Sequence, residues 1–219
     1  VHRLQLVRDY VLVKGLTHSM LPASQGPGVG YVRIREFTDE TYHELIDAMH
    51  ALKEQIGREQ KTSMQALVID LRGNPGGPVI PALNIASLFL PRGKVVMRML
   101  TVGGRVEKHT SQNRRADVLT SLCLLTDERT ASASEILLEA LCDNHRAVSI
   151  GGRTVGKNVA QAILSLSDGS GLCFTVREFF APSGRYMGNG HDPTILVAGS
   201  MPLSRIQYHP TDKTWTINK

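Results

Sequence analysis

Two continuous apolar runs constrain the fold of this chain most strongly. Residues 66–71 (Ala-Leu-Val-Ile-Asp-Leu) and 121–126 (Ser-Leu-Cys-Leu-Leu-Thr) show little alternation of polar and apolar positions. Such runs are typical of strands that are buried on both faces of a sheet. A helical pattern comes after each of them, at 79–90 and 131–142. Strands that alternate with helices predict an α/β fold with a mixed sheet.

The neighbouring segments extend this pattern. Alternating residues at 29–37 predict a strand with one wet face. Apolar residues at three- and four-residue steps then predict an amphipathic helix that begins at Thr38, as its cap, and runs to about residue 56. The other predicted segments are a loop at 21–28 and strands at 9–14, 95–101 and 147–150. From residue 151 to about 197 we expect mainly strands, and at 206–217 irregular chain or a short strand.

Composition argues against nucleic acid and membrane functions. The 219 residues carry a formal charge of +5 and a pI near 9.3, but Lys and Arg are scattered among Asp and Glu. Only 5% of residues are aromatic, which does not favour stacking on nucleobases. No apolar run approaches the roughly 18 to 20 residues that span a bilayer. We therefore expect no nucleic-acid partner and no transmembrane segment.

The cysteines give no indication of a cofactor. Cys123, Cys142 and Cys173 are widely spaced and form no CxxC pair, so neither a zinc site nor a redox motif is predicted. Cys123 and Cys173 lie in apolar stretches, which predicts buried free thiols. We expect no metal and no other cofactor.

Two loops could carry chemistry. The loop after the first apolar run contains Gly76 and Gly77, and glycines there form either an ordinary turn or part of an oxyanion hole. After the second run, Thr-Ala-Ser-Ala-Ser-Glu-Ile at 130–136 opens a helix. Ser132 is either a helix cap or a nucleophile favoured by the helix N-terminus, and Ser134 is the alternative nucleophile.

A nucleophilic serine needs a base, and Lys157 is the candidate. The histidines are scattered, whereas Lys157 lies in a glycine-rich turn at 151–161. An isolated lysine is ordinarily a solvated surface residue, and it acts as a base only where desolvation disfavours the ammonium. The turn is not a phosphate loop, because three residues separate Gly152 from Gly156 and Asn158 follows the lysine.

Taken in order, these motifs resemble the C-terminal processing (tail-specific) peptidases. Lys157 follows Ser132 by 25 residues and Gln161 follows Lys157 by four, as in that family. The matching segments are Gly-Tyr-Val-Arg-Ile at 30–34, Asp-Leu-Arg-Gly-Asn-Pro-Gly-Gly at 70–77, Ala-Ser-Leu-Phe-Leu-Pro at 86–91, Thr-Ala-Ser-Ala-Ser-Glu-Ile-Leu at 130–137, Gly156-Lys157 with Gln161, and Pro-Ser-Gly-Arg at 182–185.

The resemblance implies a fold and a set of roles. The family core is of the Clp protease/crotonase type. Ser132 would be the nucleophile, Lys157 the general base and Gln161 the residue that orients the lysine. The oxyanion hole would combine Gly76 or Gly77 with Ala133, and Asp143 stands where some members carry an acidic residue important for activity. The chain would then comprise an N-terminal strand and loop segment (1–28), a peptidase core (29–198) and a C-terminal extension (199–219).

Three functions remain open on this evidence. The first is a serine endopeptidase that cleaves the C-terminal tails of proteins. The second is a silent family member that serves as a structural or binding subunit, because nothing before Gly30 resembles the PDZ module that usually captures the tail; a partner protein could replace that module. The third is a small-ligand carrier, since retinoid-binding repeats share the family. Retention of Ser132, Lys157 and Gln161 favours the first. Family habit would place such an enzyme in the thylakoid lumen or the bacterial periplasm, but the sequence carries no marker for either.

Overall fold

The computed structural model describes residues 15–101, 103–197, 199 and 201–218. The predicted strand at 9–14 lies outside the described residues. The strands are β1 (Leu16–Met20), β2 (Val29–Ile34), β3 (Ala66–Asp70), β4 (Val95–Thr101), β5 (Val106–Thr110), β6 (Ser121–Thr126), β7 (Ala147–Gly151), β8 (Val159–Ser165), β9 (Gly171–Phe180), β10 (Ile195–Leu196), β11 (Ile206–His209) and β12 (Thr214–Ile217). The helices are α1 (Thr41–Glu59), α2 (Val79–Phe89) and α3 (Ala133–Asp143).

A mixed sheet forms the centre of the fold, as predicted. Its strand order is β1-β2-β3-β6-β7-β10, with β1 antiparallel to β2 and the other pairs parallel. The two apolar runs become β3 and β6, which lie side by side in the middle of the sheet. Because these strands are parallel, the loops that follow them meet at the same edge of the sheet.

The two faces of this sheet are covered differently. All three helices pack on one face, where α1 buries an apolar stripe that includes Leu45, Leu52 and Ile56. The other face is covered by the hairpin of β11 and β12, which contributes Tyr208 and Trp215. The sheet is therefore buried on both sides, which explains why its central strands are continuously apolar.

A second, antiparallel sheet packs beyond α3. Its order is β5-β4-β9-β8, and Met97, Met99 and Phe179 form a small core with Ile136 of α3. Helix α3 is thus enclosed between two sheets and is buried along its length from Ala133 to Leu141. None of the helices in the described part of the chain combines the length and the apolarity needed to cross a bilayer.

Three local predictions are wrong. Thr38 does not cap α1: the helix begins at Thr41, and the Thr41 hydroxyl accepts a hydrogen bond from the Thr38 N–H at 2.8 Å. The strand predicted at 29–37 with one wet face ends at Ile34, because the chain must turn to place Phe37 against the loop after β3. It has no wet face, because both sides of the sheet are covered there and Arg33 alone of its six residues is exposed. Cys173 is exposed, because the outer halves of β8 and β9 project beyond the small core. Cys123 is buried as predicted, and burial raises the pKa of its thiol.

The segment at 206–217 also departs from expectation, since it forms the complete hairpin of β11 and β12. Ile206, Tyr208 and Trp215 are buried, and the rings of Tyr208 and Trp215 lie 4.9 Å apart between centroids. Tyr208 also hydrogen-bonds the Ser121 hydroxyl at the start of β6. These contacts with the sheet explain why so short a hairpin is stable.

Candidate active site

Ser132 lies where the loop after β6 enters α3. Its backbone has φ +57° and ψ −119°, a conformation that non-glycine residues rarely adopt and that costs on the order of 1–3 kcal/mol. The side chain is half-buried. A serine held in strained backbone between a strand and a helix is the arrangement by which α/β-hydrolases present a nucleophile.

The second serine of the motif is placed differently. Ser134 is fully buried, and its hydroxyl donates to the backbone oxygen of Asn74 at 3.3 Å. It therefore joins the helix to the glycine-containing loop and does not face the surface. Of the two serines, Ser132 has the accessible position.

A carboxylate that the sequence did not assign to the site stabilises the strained backbone of Ser132. Glu135 is only 2% exposed, and its Oε2 accepts a hydrogen bond from the Ser132 N–H at 2.8 Å. The same oxygen accepts the Lys157 N–H, also at 2.8 Å. Its Oε1 accepts the Gly156 N–H at 2.6 Å and the Thr154 hydroxyl at 2.5 Å. Four donors thus compensate the buried charge. A glutamate three residues after a serine at a helix start is the capping-box pattern, which could have identified it.

This carboxylate brings Lys157 next to Ser132. The two backbone nitrogens share one oxygen atom as partner, so the residues are neighbours in space although 25 residues separate them. The Lys157 side chain is exposed, and in the described part of the chain it forms no ion pair. Gln161 lies in β8 opposite Thr175 and is also exposed.

The loop after β3 packs against the serine. A Cβ added to Gly76, whose φ is +107°, would lie 2.7 Å from the Ser132 Cβ, so only glycine permits this approach. The Gly76 N–H donates to the Asn74 side chain at 2.9 Å and is therefore occupied. Gly77 follows with φ +137°. Ala133 is the first residue of α3, and its N–H has no partner within the helix. Because the Gly76 N–H is occupied, the N–H groups of Gly77 and Ala133 remain the candidates for the predicted oxyanion hole.

Two buried polar residues fix the position of this loop. Asn74 donates from Nδ2 to the Ile34 carbonyl at 3.0 Å, and its backbone oxygen accepts the Ala131 N–H at 3.0 Å. These bonds join the end of β2 to the loop that leads into Ser132. Asp70, at the end of β3, accepts hydrogen bonds from Arg72 and from the Tyr31 hydroxyl. Burial and the neighbouring Asp70 carboxylate raise the pKa of Tyr31. Asn74 was not predicted from the sequence, because its contacts are distant along the chain.

Asp143 lies at the opposite end of α3, about 16 Å from Ser132 along the helix axis. There its Oδ2 accepts the Ser183 N–H at 2.9 Å. The structure therefore brings Ser132, Lys157, Gly76, Gly77 and Ala133 together and places Asp143 apart from them. Within the residues described, no group of three or more His, Cys, Asp or Glu side chains could hold a metal ion.

Comparison with known proteins identifies the family. The model of peptidase family S41 matches residues 28–197. The chain belongs to peptidase family S41. A carboxyl-terminal-processing protease of Synechocystis sp. is 34% identical over 177 residues, 81% of this chain and 39% of that protein. The chloroplastic carboxyl-terminal-processing peptidase 3 of Arabidopsis thaliana is 33% identical over 84% of this chain and 35% of its own length.

A solved structure supports the same assignment. The photosystem II D1 C-terminal processing protease superposes with a TM-score of 0.72 at 30% identity, covering 89% of this chain and 51% of that one. This S41 chain therefore has the fold of the C-terminal processing proteases. It spans about two fifths or less of the length of the two sequence relatives named above.

Proposed function

We propose that this chain is the catalytic core of a serine endopeptidase that cleaves the C-terminal tails of proteins, with Ser132 as nucleophile and Lys157 as general base. One observation carries the assignment: the buried Glu135 carboxylate binds the backbone N–H groups of both residues. If the serine had only a structural role, the turn at 154–157 that carries Lys157 (the lysine turn) would not need to bind the same Oε2 atom of Glu135.

The chemistry follows from these positions. The Ser132 hydroxyl attacks the scissile carbonyl carbon, and a neutral Lys157 amine accepts its proton. The N–H groups of Gly77 and Ala133 stabilise the oxyanion of the tetrahedral intermediate. Its collapse breaks the C–N bond, and the Lys157 ammonium returns the proton to the leaving amine. Water then hydrolyses the acyl-enzyme by the same steps in reverse order.

Because Lys157 is exposed, the proposed mechanism depends on the substrate to desolvate its amine. An exposed ammonium is stabilised by hydration and has no lone pair with which to accept the serine proton. A polypeptide that binds across the site removes water from the amine, which favours the neutral form. In this proposal Gln161, on the neighbouring strand, orients the amine toward Ser132. Catalysis is thereby coupled to substrate binding.

Substrate capture is the step for which a partner is proposed. The proposed core, residues 29–198, is flanked by the segments 1–28 and 199–219, and the chain covers a minority of its relatives' length. We propose that a further module or a partner protein supplies binding energy for the tail. A silent subunit of a larger complex is the alternative.

Cleavage of an unstructured protein tests the proposal. Wild type, Ser132→Ala and Ser134→Ala are incubated with the substrate, alone and with a PDZ module fused before residue 1, and the new termini are identified by mass spectrometry. We expect cleavage that Ser132→Ala abolishes and that any stably folded Ser134→Ala variant retains. Absence of cleavage in both formats would favour the silent subunit, and cleavage that survives Ser132→Ala would exclude Ser132 as nucleophile.

A further inference from the structure

A second buried glutamate lies one helical turn after Glu135. Glu139 is also 2% exposed, and it forms an ion pair with the Arg185 guanidinium. Its Oε1 accepts a hydrogen bond from Nδ1 of His191 at 3.1 Å. The two glutamates thus project from α3 toward neighbouring segments: Glu135 binds the lysine turn, and Glu139 binds the segment that contains His191.

His191 bridges Glu139 to β7. Its Nε2 lies 2.9 Å from the Ser149 hydroxyl, so serine, histidine and glutamate follow one another as in a hydrolase triad. Ser149 is fully buried, however, and its Oγ also accepts the Thr194 N–H at 2.9 Å. A substrate carbonyl could not reach this oxygen. These hydrogen bonds therefore fix α3 to β7 through His191.

The backbone of His191 is joined to the lysine turn. Its N–H donates to the Thr154 hydroxyl oxygen at 2.8 Å, and its carbonyl accepts the Thr154 N–H at 3.2 Å. That same Thr154 hydroxyl donates to Glu135 at 2.5 Å. A continuous chain of hydrogen bonds thus connects the His191 backbone to the carboxylate that binds Ser132 and Lys157.

Close packing reinforces this connection. A Cβ added to Gly156 would lie 2.6 Å from both the Gly188 carbonyl oxygen and the Gly190 nitrogen. One added to Gly190 would lie 2.3 Å from the Thr154 carbonyl oxygen. The two segments therefore touch through their backbones, and movement of residues 188–191 must displace the turn that carries Lys157.

We propose that His191 is a positioning residue for Lys157. Its ring, held by Glu139 and Ser149, fixes segment 188–191, and this segment fixes Thr154 and the turn that carries Lys157. Loss of the ring leaves Ser132 in place on α3 but loosens the turn that carries the base. The catalytic part of this inference rests on the proposed function, whereas the anchoring part does not.

Two measurements on His191→Ala test the inference, with His43→Ala, an exposed position on α1, as the matched control. Hydrogen–deuterium exchange followed by mass spectrometry reports on the amides of residues 154–157. Steady-state kinetics on a tail peptide report kcat and KM separately. We expect exchange at 154–157 at least about tenfold faster than in wild type and a kcat at least about tenfold lower with KM little changed, because a misplaced catalytic group reduces the rate of the chemical step.

A conservative variant separates positioning from general destabilisation. The side-chain amide of His191→Asn can reach the position of Nδ1 and donate to Glu139, so it should restore part of kcat and of the exchange protection. It also provides the test if His191→Ala does not fold. Unchanged exchange in a folded His191→Ala, or no restoration by Asn, would overturn the inference. If exchange at 154–157 is faster in His191→Ala but the wild type shows no Ser132-dependent cleavage, the anchoring role of His191 stands. The proposed function is then refuted instead.

Discussion

Replacing Glu135 by Gln removes a charge and one acceptor while preserving shape. The carboxylate accepts four hydrogen bonds, from Ser132, Lys157, Gly156 and Thr154. The amide NH₂ can occupy only one of the two oxygen positions, and at either position it faces donors. The less costly orientation places it at Oε1, where the Gly156 N–H loses its partner.

The magnitude follows from the partners that remain. A hydrogen bond to a charged group contributes about 1.5–3 kcal/mol, against about 1 kcal/mol for a neutral one. Gln at position 135 loses the Gly156 bond and weakens the bonds that persist through the remaining oxygen. We therefore expect the free energy of unfolding to fall by about 2–4 kcal/mol. For a chain of this size each kcal/mol lowers Tm by about 2–4 °C.

Urea unfolding followed by circular dichroism measures this loss. Glu128→Gln is the matched control, because Glu128 is exposed in the loop that leads to Ser132 and should change stability by less than about 0.5 kcal/mol. If Glu135→Gln unfolds at the same urea concentration as Glu128→Gln, the Glu135 carboxylate does not hold the Lys157 turn to the start of α3. The geometric basis for pairing Ser132 with Lys157 would then be lost.

Two further predictions concern the base and the acid stability of the fold. Lys157→Arg should be as inactive in tail cleavage as Lys157→Ala, because a guanidinium is not deprotonated in the working pH range; substantial cleavage by the Arg variant would identify another base. Burial raises the pKa of Asp117, but hydrogen bonds from Thr120 and Leu119 outweigh it and leave the pKa lowered. A lowered pKa stabilises the fold above the unfolded-state value of about 3.9, and this contribution is lost as pH falls through the folded-state value. Asp117→Asn should therefore reduce Tm at neutral pH and lose this disadvantage as pH falls below the folded-state pKa; a difference in Tm of equal size at neutral and at strongly acidic pH would contradict the assignment.

The parts of the fold that the sequence predicts are those with strong local patterns. Residues 66–71 and 121–126 are continuously apolar because helices cover one face of β3 and β6 and the C-terminal hairpin covers the other. The C-terminal hairpin itself was not predicted, because β11 and β12 are four residues each and depend on contacts with the sheet. Cys173 was misjudged because apolar neighbours indicate burial only where another layer covers the strand.

The candidate site shows the same division. Ser132 and Lys157 were predicted because their spacing resembles that of a known family, and the structure places their backbones together. Glu135 could have been found from the capping-box pattern, but Asn74 contacts Ile34, and His191 contacts Thr154, Ser149 and Glu139, at separations of 37 or more residues. Such contacts depend on which loops the topology brings together, and no local periodicity encodes them.

Covalent labelling with a fluorophosphonate, followed by mass spectrometric mapping of the modified residue, tests the central claim most directly. The reagent reacts with an activated serine, and an attached short peptide covers the site and removes water from Lys157 as a substrate would. We predict a single label on Ser132 in wild type and none in Lys157→Arg. Labelling of Ser134 or Ser149, labelling of Ser132 that persists in Lys157→Arg, or no labelling of wild type would contradict the assignment of Ser132 and Lys157 as nucleophile and base.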